Sequence, residues 1–164
     1  MRSERLRVLR AEMLDDAEAF ERLVGKYEGM KRKLARIEPD EFDYVGLAYT
    51  IVNLYSLMEN YFLRVAKCFE NDVDRSSWHR ELVRRMALSI EGVRPAVLTA
   101  EEARAIDELR AFRHVFRHIY QTELDSEKLQ LVDSRTPQAV GAFKAAHERL
   151  LANLDALIAE VDST

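Results

Sequence analysis

The spacing of apolar residues along the chain predicts helices from one end to the other. In the first half, apolar side chains recur every three or four positions, which is the spacing of one buried helical face. This pattern predicts a first helix over about residues 4–36. Pro39 then interrupts it, because proline cannot continue a helix. A second helix, predicted from near Asp40, is apolar on more than one side, as is typical of a central helix. Its apolar positions are Tyr44, Leu47, Ile51, Leu54, Met58, Phe62, Val65 and Phe69, with Tyr55 and Tyr61 beside them.

In the middle of the chain, residues typical of helix starts predict two separate helices. A pair of serines can cap a shorter helix predicted over about residues 78–90. Thr99 followed by Glu102 is a capping-box pattern, in which each side chain bonds the backbone of the other residue. A fourth helix is therefore predicted from Ala100 to about Gln121.

The C-terminal part predicts one more long helix. Asp125 or Ser126 starts a short helical turn, and Thr136-Pro137 opens the last helix, since proline is favoured in a first helical turn. No segment alternates apolar and polar residues with the period of a strand. The sequence thus predicts an all-α fold, an up-and-down bundle of four to five helices forming a single domain over residues 1–164.

Composition narrows the class of protein. With 164 residues, 48% apolar and 33% charged, the chain has enough apolar side chains for one hydrophobic core, and disorder is excluded. The single cysteine, Cys68, excludes an intramolecular disulfide and a cysteine-based zinc finger. The longest uncharged run, residues 44–58, is 15 residues long, shorter than the roughly 20 of a membrane span. The N-terminus lacks an apolar signal core, so we expect a cytoplasmic protein without membrane contact.

Charge is unevenly distributed. The net charge of −4 argues against a general nucleic-acid binder, because that binding mode depends on neutralising phosphates. Residues 75–120, however, carry nine Lys and Arg against six Asp and Glu, and they follow an acidic segment, residues 38–74, with two against eight. The candidate chemistry lies in the basic segment.

The stretch of residues 109–121 contains three arginines and two histidines but no acidic residue. Arg110, Arg113 and Arg117 repel one another on one helix unless an anion or another subunit's carboxylates meet them. Arginine suits this role because its fork of donors binds phosphate in bidentate geometry. A solvated basic face is the alternative interpretation.

Helical geometry suggests that two copies of the chain share one site. At about 100° per residue, Arg113 and Tyr120 stack two turns apart, whereas His118 lies at the far edge of the polar arc. One helix therefore cannot easily direct Arg113 and His118 to a single atom. Two copies related by a two-fold axis can do so, with His118 of one beside Arg113 of the other. We therefore expect a homodimer with a composite site.

The same residues resemble a known signature. Arg113, then four residues, His118, one residue and Tyr120 is similar to the R-x4-H-x-Y signature of HEPN-domain ribonucleases, in particular the HepT-like toxins of bacterial and archaeal toxin–antitoxin pairs. The resemblance covers roughly residues 40–160, including the aromatic helix around residues 55–67. One departure is His114, where the broader family often has asparagine. The resemblance implies a homodimeric HEPN-like bundle acting as a metal-independent endoribonuclease and as the toxin of a type VII-like pair.

The implied reaction assigns roles to these side chains. For RNA to be cut through its 2′-hydroxyl, a base removes that proton, an acid protonates the departing 5′-oxygen, and a cation stabilises the phosphorane. His118 is the candidate acid/base and Arg113 the phosphate clamp, because histidine titrates near neutral pH and arginine stays charged. His114, Arg117 and Arg110 are candidate auxiliary or RNA-binding residues. DNA lacks the 2′-hydroxyl and is not expected to be cut.

The resemblance also implies a partner. In HepT-like pairs the antitoxin is a minimal nucleotidyltransferase thought to attach AMP to the signature tyrosine, here Tyr120. Such an adenylate would bring negative phosphate beside Arg113 and block RNA. Alternatively, an unmodified Tyr120 packs its ring on the dimer seam. Glu59 and Asn60 are polar positions in an apolar helix, so they either face the cleft and orient Arg113 or His118, or face a solvent-exposed gap in the bundle.

Two rival functions stay open from the sequence. The first is a non-catalytic HEPN-like adaptor or substrate-binding subunit for a nucleotidyltransferase. The second is a metal-dependent helical enzyme, suggested only by the spacing of His114 and His118, four residues apart. No metal is predicted, because no cysteine is near these histidines and three arginines crowd them. No cofactor is predicted, because the chain has no glycine-rich phosphate loop and no dinucleotide fingerprint.

Overall fold

The computed structural model describes residues 3–70, 78–118 and 123–163, and in these ranges the chain forms five helices. The only β-type pairing there is an isolated bridge between Ile90 and Arg94. The prediction of an all-α bundle of four to five helices is confirmed. The helices are α1 (Ser3–Leu34), α2 (Glu41–Phe69), α3 (Trp78–Met86), α4 (Ala100–Arg117) and α5 (Ser126–Asp162). None of the described helices is both long and apolar enough to cross a membrane.

Helix α2 is the centre of the bundle and packs against each of the other four helices. Its side chains are buried on more than one side, as its apolar pattern predicts. The core has an aromatic centre in which the Phe143 ring lies 4.3 Å from Phe20 and 4.8 Å from Tyr61, measured between ring centroids. Helix α4 packs between α2, α3 and α5, so its inner face is fixed by the core.

The start of α4 follows the predicted capping box. Thr99 Oγ1 accepts the backbone N–H of Glu102 at 3.1 Å, and Glu102 Oε2 accepts the backbone N–H of Thr99 at 2.8 Å. Arg149 of α5 also binds the Glu102 carboxylate. Helix α4 therefore begins at Ala100, with its first turn attached to α5.

The predicted start of the last helix at Thr136-Pro137 is wrong, because α5 is continuous from Ser126 to Asp162. Pro137 has no N–H to donate to the carbonyl of Asp133, one turn earlier, and such a loss usually breaks a helix. Here the hydroxyl of Tyr27 of α1 partly replaces the missing donor, because its single proton is shared between two Asp133 acceptors. This hydroxyl lies 3.2 Å from the Asp133 carbonyl oxygen and 2.6 Å from Asp133 Oδ1.

The predicted end of α3 near Ile90 is also wrong, because the helix ends at Met86. The following loop folds back onto the last turn, where the Met86 carbonyl accepts the backbone N–H groups of Val97 and Leu98 at 2.8 and 3.0 Å. Buried Arg94 completes this arrangement by pairing with Glu70 at the end of α2, at 2.7 Å between Nη2 and Oε1.

Helix α4 ends at Arg117 rather than near Gln121. His118 is its C-cap, with φ −105° and ψ 7°, and its backbone N–H bonds the carbonyls of Val115 and Phe116. Residues 119–122, including Tyr120, lie outside the described residues. The helical angles predicted for this helix therefore apply only as far as Arg117.

Removing the Tyr27 hydroxyl tests how Pro137 is tolerated. We expect Tyr27→Phe to lower the free energy of unfolding by about 1 kcal/mol, because it removes the hydroxyl donor of the partly buried Asp133 acceptors, of which only the carboxylate also binds Lys31. In a Pro137→Ala background, where residue 137 supplies its own N–H, the loss should shrink by roughly 0.5 kcal/mol. Urea unfolding of the four proteins measures both values. Equal losses in the two backgrounds would show that Tyr27 does not compensate for the proline.

Candidate active site on helix α4

Arg113 is held against α2 by a buried carboxylate. Its Nη1 donates to both carboxylate oxygens of Glu59, at 3.0 and 2.9 Å. Glu59 is only 3% exposed, and the Arg113 side chain is 15% exposed. The hydroxyl of Tyr55 donates to Glu59 Oε2 at 3.0 Å, and the guanidinium carbon of Arg113 lies 5.5 Å from the centroid of the Tyr55 ring. We call these residues the Tyr55–Glu59–Arg113 cluster.

The spacing along α2 explains how the cluster forms. Tyr55 and Glu59 are four residues apart and therefore lie on one face of the helix, the face on which α4 packs. A buried carboxylate is unfavourable unless it is paired and hydrogen-bonded. Burial and the neighbouring Glu59 charge raise the pKa of Tyr55 far above its ordinary value, so the phenol remains a donor. The carboxylate of Glu59 is thereby satisfied from two sides.

Arg113 has further donors besides the nitrogen that binds Glu59. Both of its hydrogen bonds to Glu59 come from Nη1. Among the residues that the structure describes, Nε and Nη2 of Arg113 have no hydrogen-bond acceptor. A guanidinium held at one corner can bind a phosphate with its remaining donors in bidentate geometry.

The two histidines lie together at the exposed end of α4. The ring centroids of His114 and His118 are 4.6 Å apart, and His118 Nδ1 is 2.7 Å from the carbonyl oxygen of His114. Because a carbonyl oxygen only accepts, Nδ1 carries the proton in this contact. In the neutral ring Nε2 of His118 is then the acceptor, which is the form that a general base requires.

Within one protomer, Arg113 and the two histidines do not meet. Arg113 is turned into the contact between α2 and α4, whereas His114 and His118 are exposed. Within the described part of the chain, no hydrogen bond or ion pair links Arg113 to either histidine. The cation and the candidate acid/base thus belong to separate clusters on one helix.

The three arginines of α4 differ in their surroundings. Arg110 Nε pairs with Asp107 Oδ1 at 2.5 Å, and this hydrogen bond is the main cause of the raised pKa of Arg110. Arg113 pairs with Glu59. Arg117 is exposed and has no ion pair with the described residues. The expectation that all three need an outside anion is therefore wrong, because two find carboxylates within the chain.

The remaining candidates have simpler positions. Asn60 is exposed. Tyr120 lies outside the described residues, so its surroundings are not part of this geometry. Among the described residues, no group of three or more His, Cys, Asp or Glu side chains is placed to hold a metal ion.

Two members of the site were missed from the sequence. Tyr55 looked like a core aromatic, and only its position four residues before Glu59 suggests a hydrogen bond. Asp107 lies just outside the basic stretch but three residues before Arg110, the spacing of an ion pair on a helix. Both signals exist in the sequence, but neither distinguishes these residues from ordinary core and surface positions.

Breaking the buried pair on one side should destabilise the bundle. We expect Glu59→Leu to lower the free energy of unfolding by about 3 kcal/mol, because it leaves the Arg113 charge half-buried without a carboxylate. Adding Arg113→Met should restore at least half of that loss, since two apolar side chains can replace a buried ion pair. Urea unfolding provides the measurement. A double variant less stable than Glu59→Leu would contradict this account.

One comparison with known proteins identifies a family. The model of a family described as HepT-like protein matches residues 46–154, about two thirds of the chain, including α4 and the Tyr55–Glu59–Arg113 cluster. No curated protein and no solved structure matches.

Proposed function

This chain belongs to the HepT-like protein family, and we propose that it is a metal-independent endoribonuclease, the toxin of a type VII-like toxin–antitoxin pair. One observation carries the proposal. Arg113 is fixed by a buried carboxylate with donors to spare, on the same helix as an exposed histidine with its Nδ1 proton bonded to a backbone carbonyl. A fixed cation and an available imidazole are the two groups that phosphodiester cleavage through a 2′-hydroxyl requires.

The proposed reaction uses these groups in one displacement. Nε2 of His118 takes the proton of the 2′-hydroxyl, and the oxygen attacks phosphorus to form a 2′,3′-cyclic phosphate. The bond to the 5′-oxygen breaks, and that oxygen leaves with a proton supplied by a second acid, for which His114 is the candidate. Nε and Nη2 of Arg113 bind the non-bridging oxygens as charge develops on them. DNA has no 2′-hydroxyl and is not a substrate.

A homodimer supplies both groups to one linkage in this proposal. Support comes from the separation of Arg113 and the histidines within one protomer. It also comes from an exposed apolar stripe on α2 formed by Phe42, Val45 and Tyr49, which share one helical face and are 82%, 37% and 59% exposed. Exposed apolar stripes of this kind mark protein contact surfaces.

The proposed regulator is a nucleotidyltransferase-fold antitoxin. In this proposal it transfers AMP from ATP to the Tyr120 hydroxyl, with release of pyrophosphate. Tyr120 lies two residues after His118, and the phosphate of an adenylate there would compete with RNA for the spare donors of Arg113. Both partners would act in the cytoplasm.

Cleavage assays in chelator test the proposal directly. We expect the purified protein to cut a single-stranded RNA oligonucleotide in EDTA and to leave the corresponding DNA intact. His118→Ala and Arg113→Lys should each lower kcat by at least about 100-fold, because one loses the proton acceptor and the other the guanidinium fork. Arg113→Lys keeps a positive charge beside Glu59. Arg22→Ala, at an exposed arginine of α1, is the matched control.

Mixing the two inactive variants examines the composite site. Random exchange of subunits makes about half of the dimers mixed, and each mixed dimer has one intact site, so about a quarter of wild-type activity should return. No recovery despite subunit exchange would place both groups in one protomer. A wild type that cuts RNA no faster than both variants would instead favour the adaptor function.

The role of Tyr120 has its own readout. After co-expression with a nucleotidyltransferase antitoxin, the intact mass of the protein should rise by one or more AMP additions, and RNA cleavage should fall. Tyr120→Phe should keep the unmodified mass and stay active, because it lacks the acceptor hydroxyl. An unchanged wild-type mass would remove Tyr120 from the regulation.

A further inference from the structure

Helices α3 and α4 enclose a groove of about 720 Å³ beside the candidate active site. Arginines from both helices line it: Arg84 from α3, and Arg104 and Arg110 from α4. Small side chains, Ala87, Ala100 and Ala103, leave open space between them. We call this feature the α3–α4 groove. Neither the signature residues nor the chemistry proposed above accounts for it.

The α3–α4 groove leads towards the histidines. Arg110 lines the groove, and His114 and His118 follow it at intervals of four residues, on the same side of α4. The rise along a helix places the Cα atoms of Arg104 and His118 about 21 Å apart. This distance is long enough for several nucleotides of an extended strand to lie between the far end of the groove and the site.

A phosphate can compete with the carboxylates that now pair with the arginines of the groove. Arg84 is bound to Glu81 by an exposed ion pair three residues apart on its helix, and pairs of this kind contribute little. Arg110 is partly buried and is bound more firmly to Asp107. Arg104 is exposed and has no ion pair among the described residues. A phosphate can therefore bind Arg84 and Arg104 at small cost.

The third acid of the groove is already engaged elsewhere. Glu108 also lines the groove, but it pairs with Arg135 of α5 at 2.6 Å. The planar guanidinium groups can also stack on bases, which needs no particular sequence. The open space above the alanines gives a base or ribose room to enter.

We propose that the α3–α4 groove binds the nucleotides next to the cut linkage of a single-stranded RNA. Its arginines contact phosphates and stack on bases, while the histidines act at the end of α4. This inference rests on the proposed ribonuclease function, which it extends from the reacting atoms to the substrate strand. The groove adds affinity for long strands and leaves the chemistry unchanged.

Binding of an uncleavable strand tests the groove without catalysis. We measure fluorescence anisotropy with a labelled 2′-O-methyl oligonucleotide of twelve residues, at several salt concentrations. Arg104→Ala and Arg84→Ala should each weaken binding about 3- to 10-fold. Each should also lower the slope of log affinity against log salt concentration by nearly one, the amount expected for one lost phosphate contact. Arg22→Ala, at an arginine of α1 away from the groove, should bind like the wild type.

Substrate length separates a lost contact from a damaged fold. For Arg104→Ala, kcat/KM should fall about 3- to 10-fold on the long strand and stay unchanged on a dinucleotide, which is too short to reach the groove. Equal losses on both substrates would indicate a structural defect, and wild-type binding of the long strand by both groove variants would also overturn the inference.

The same two assays distinguish the inference from the function on which it rests. If the protein binds the 2′-O-methyl strand through Arg84 and Arg104 but does not cut RNA, the groove inference is supported and the ribonuclease function is refuted. If the protein cuts RNA and both groove variants behave like the wild type, the ribonuclease function is supported and the groove inference is refuted.

Discussion

The ion pair between Glu59 and Arg113 is the constraint on which the candidate site depends. A carboxylate that is 3% exposed must be paired, and the pairing residue must come from the helix packed against it. This requirement sets the rotation of α4 about its axis. With Arg113 turned inward, the exposed end of α4 presents His114 and His118 to solvent. One buried ion pair thereby fixes which side of the helix carries the two exposed histidines.

Short-range signals explain how much of the fold could be predicted. Capping residues and apolar spacing located α1, α2 and the start of α4, because these features act within a few residues of one another. The errors have long-range causes. Pro137 lies inside a continuous helix where the Tyr27 hydroxyl of another helix lies beside the freed carbonyl, and the loop that follows α3 is held by Arg94, which binds Glu70. No pattern within a few residues of these positions predicts such partners.

The candidate site was predictable to a similar degree. The basic stretch, its helical spacing and the resemblance to the R-x4-H-x-Y signature single out Arg113 and His118, and their catalytic roles stay predictions. The orientation of Arg113 towards Glu59 and Tyr55 required knowing which face of α2 meets α4. The bond between His118 and the His114 carbonyl depends on where α4 ends, and the sequence had placed that end about one turn too late.

The contact between Tyr27 and the helix around Pro137 has a consequence for how related sequences vary. Helix α1 precedes the part of the chain matched by the family, whereas Pro137 lies within it. A relative with a different N-terminal helix would lose the hydroxyl that satisfies the Asp133 carbonyl. Its last helix would then bend or open at that point unless another donor or a different residue replaced the proline. The N-terminal helix and the proline should accordingly be gained and lost together as related chains diverge.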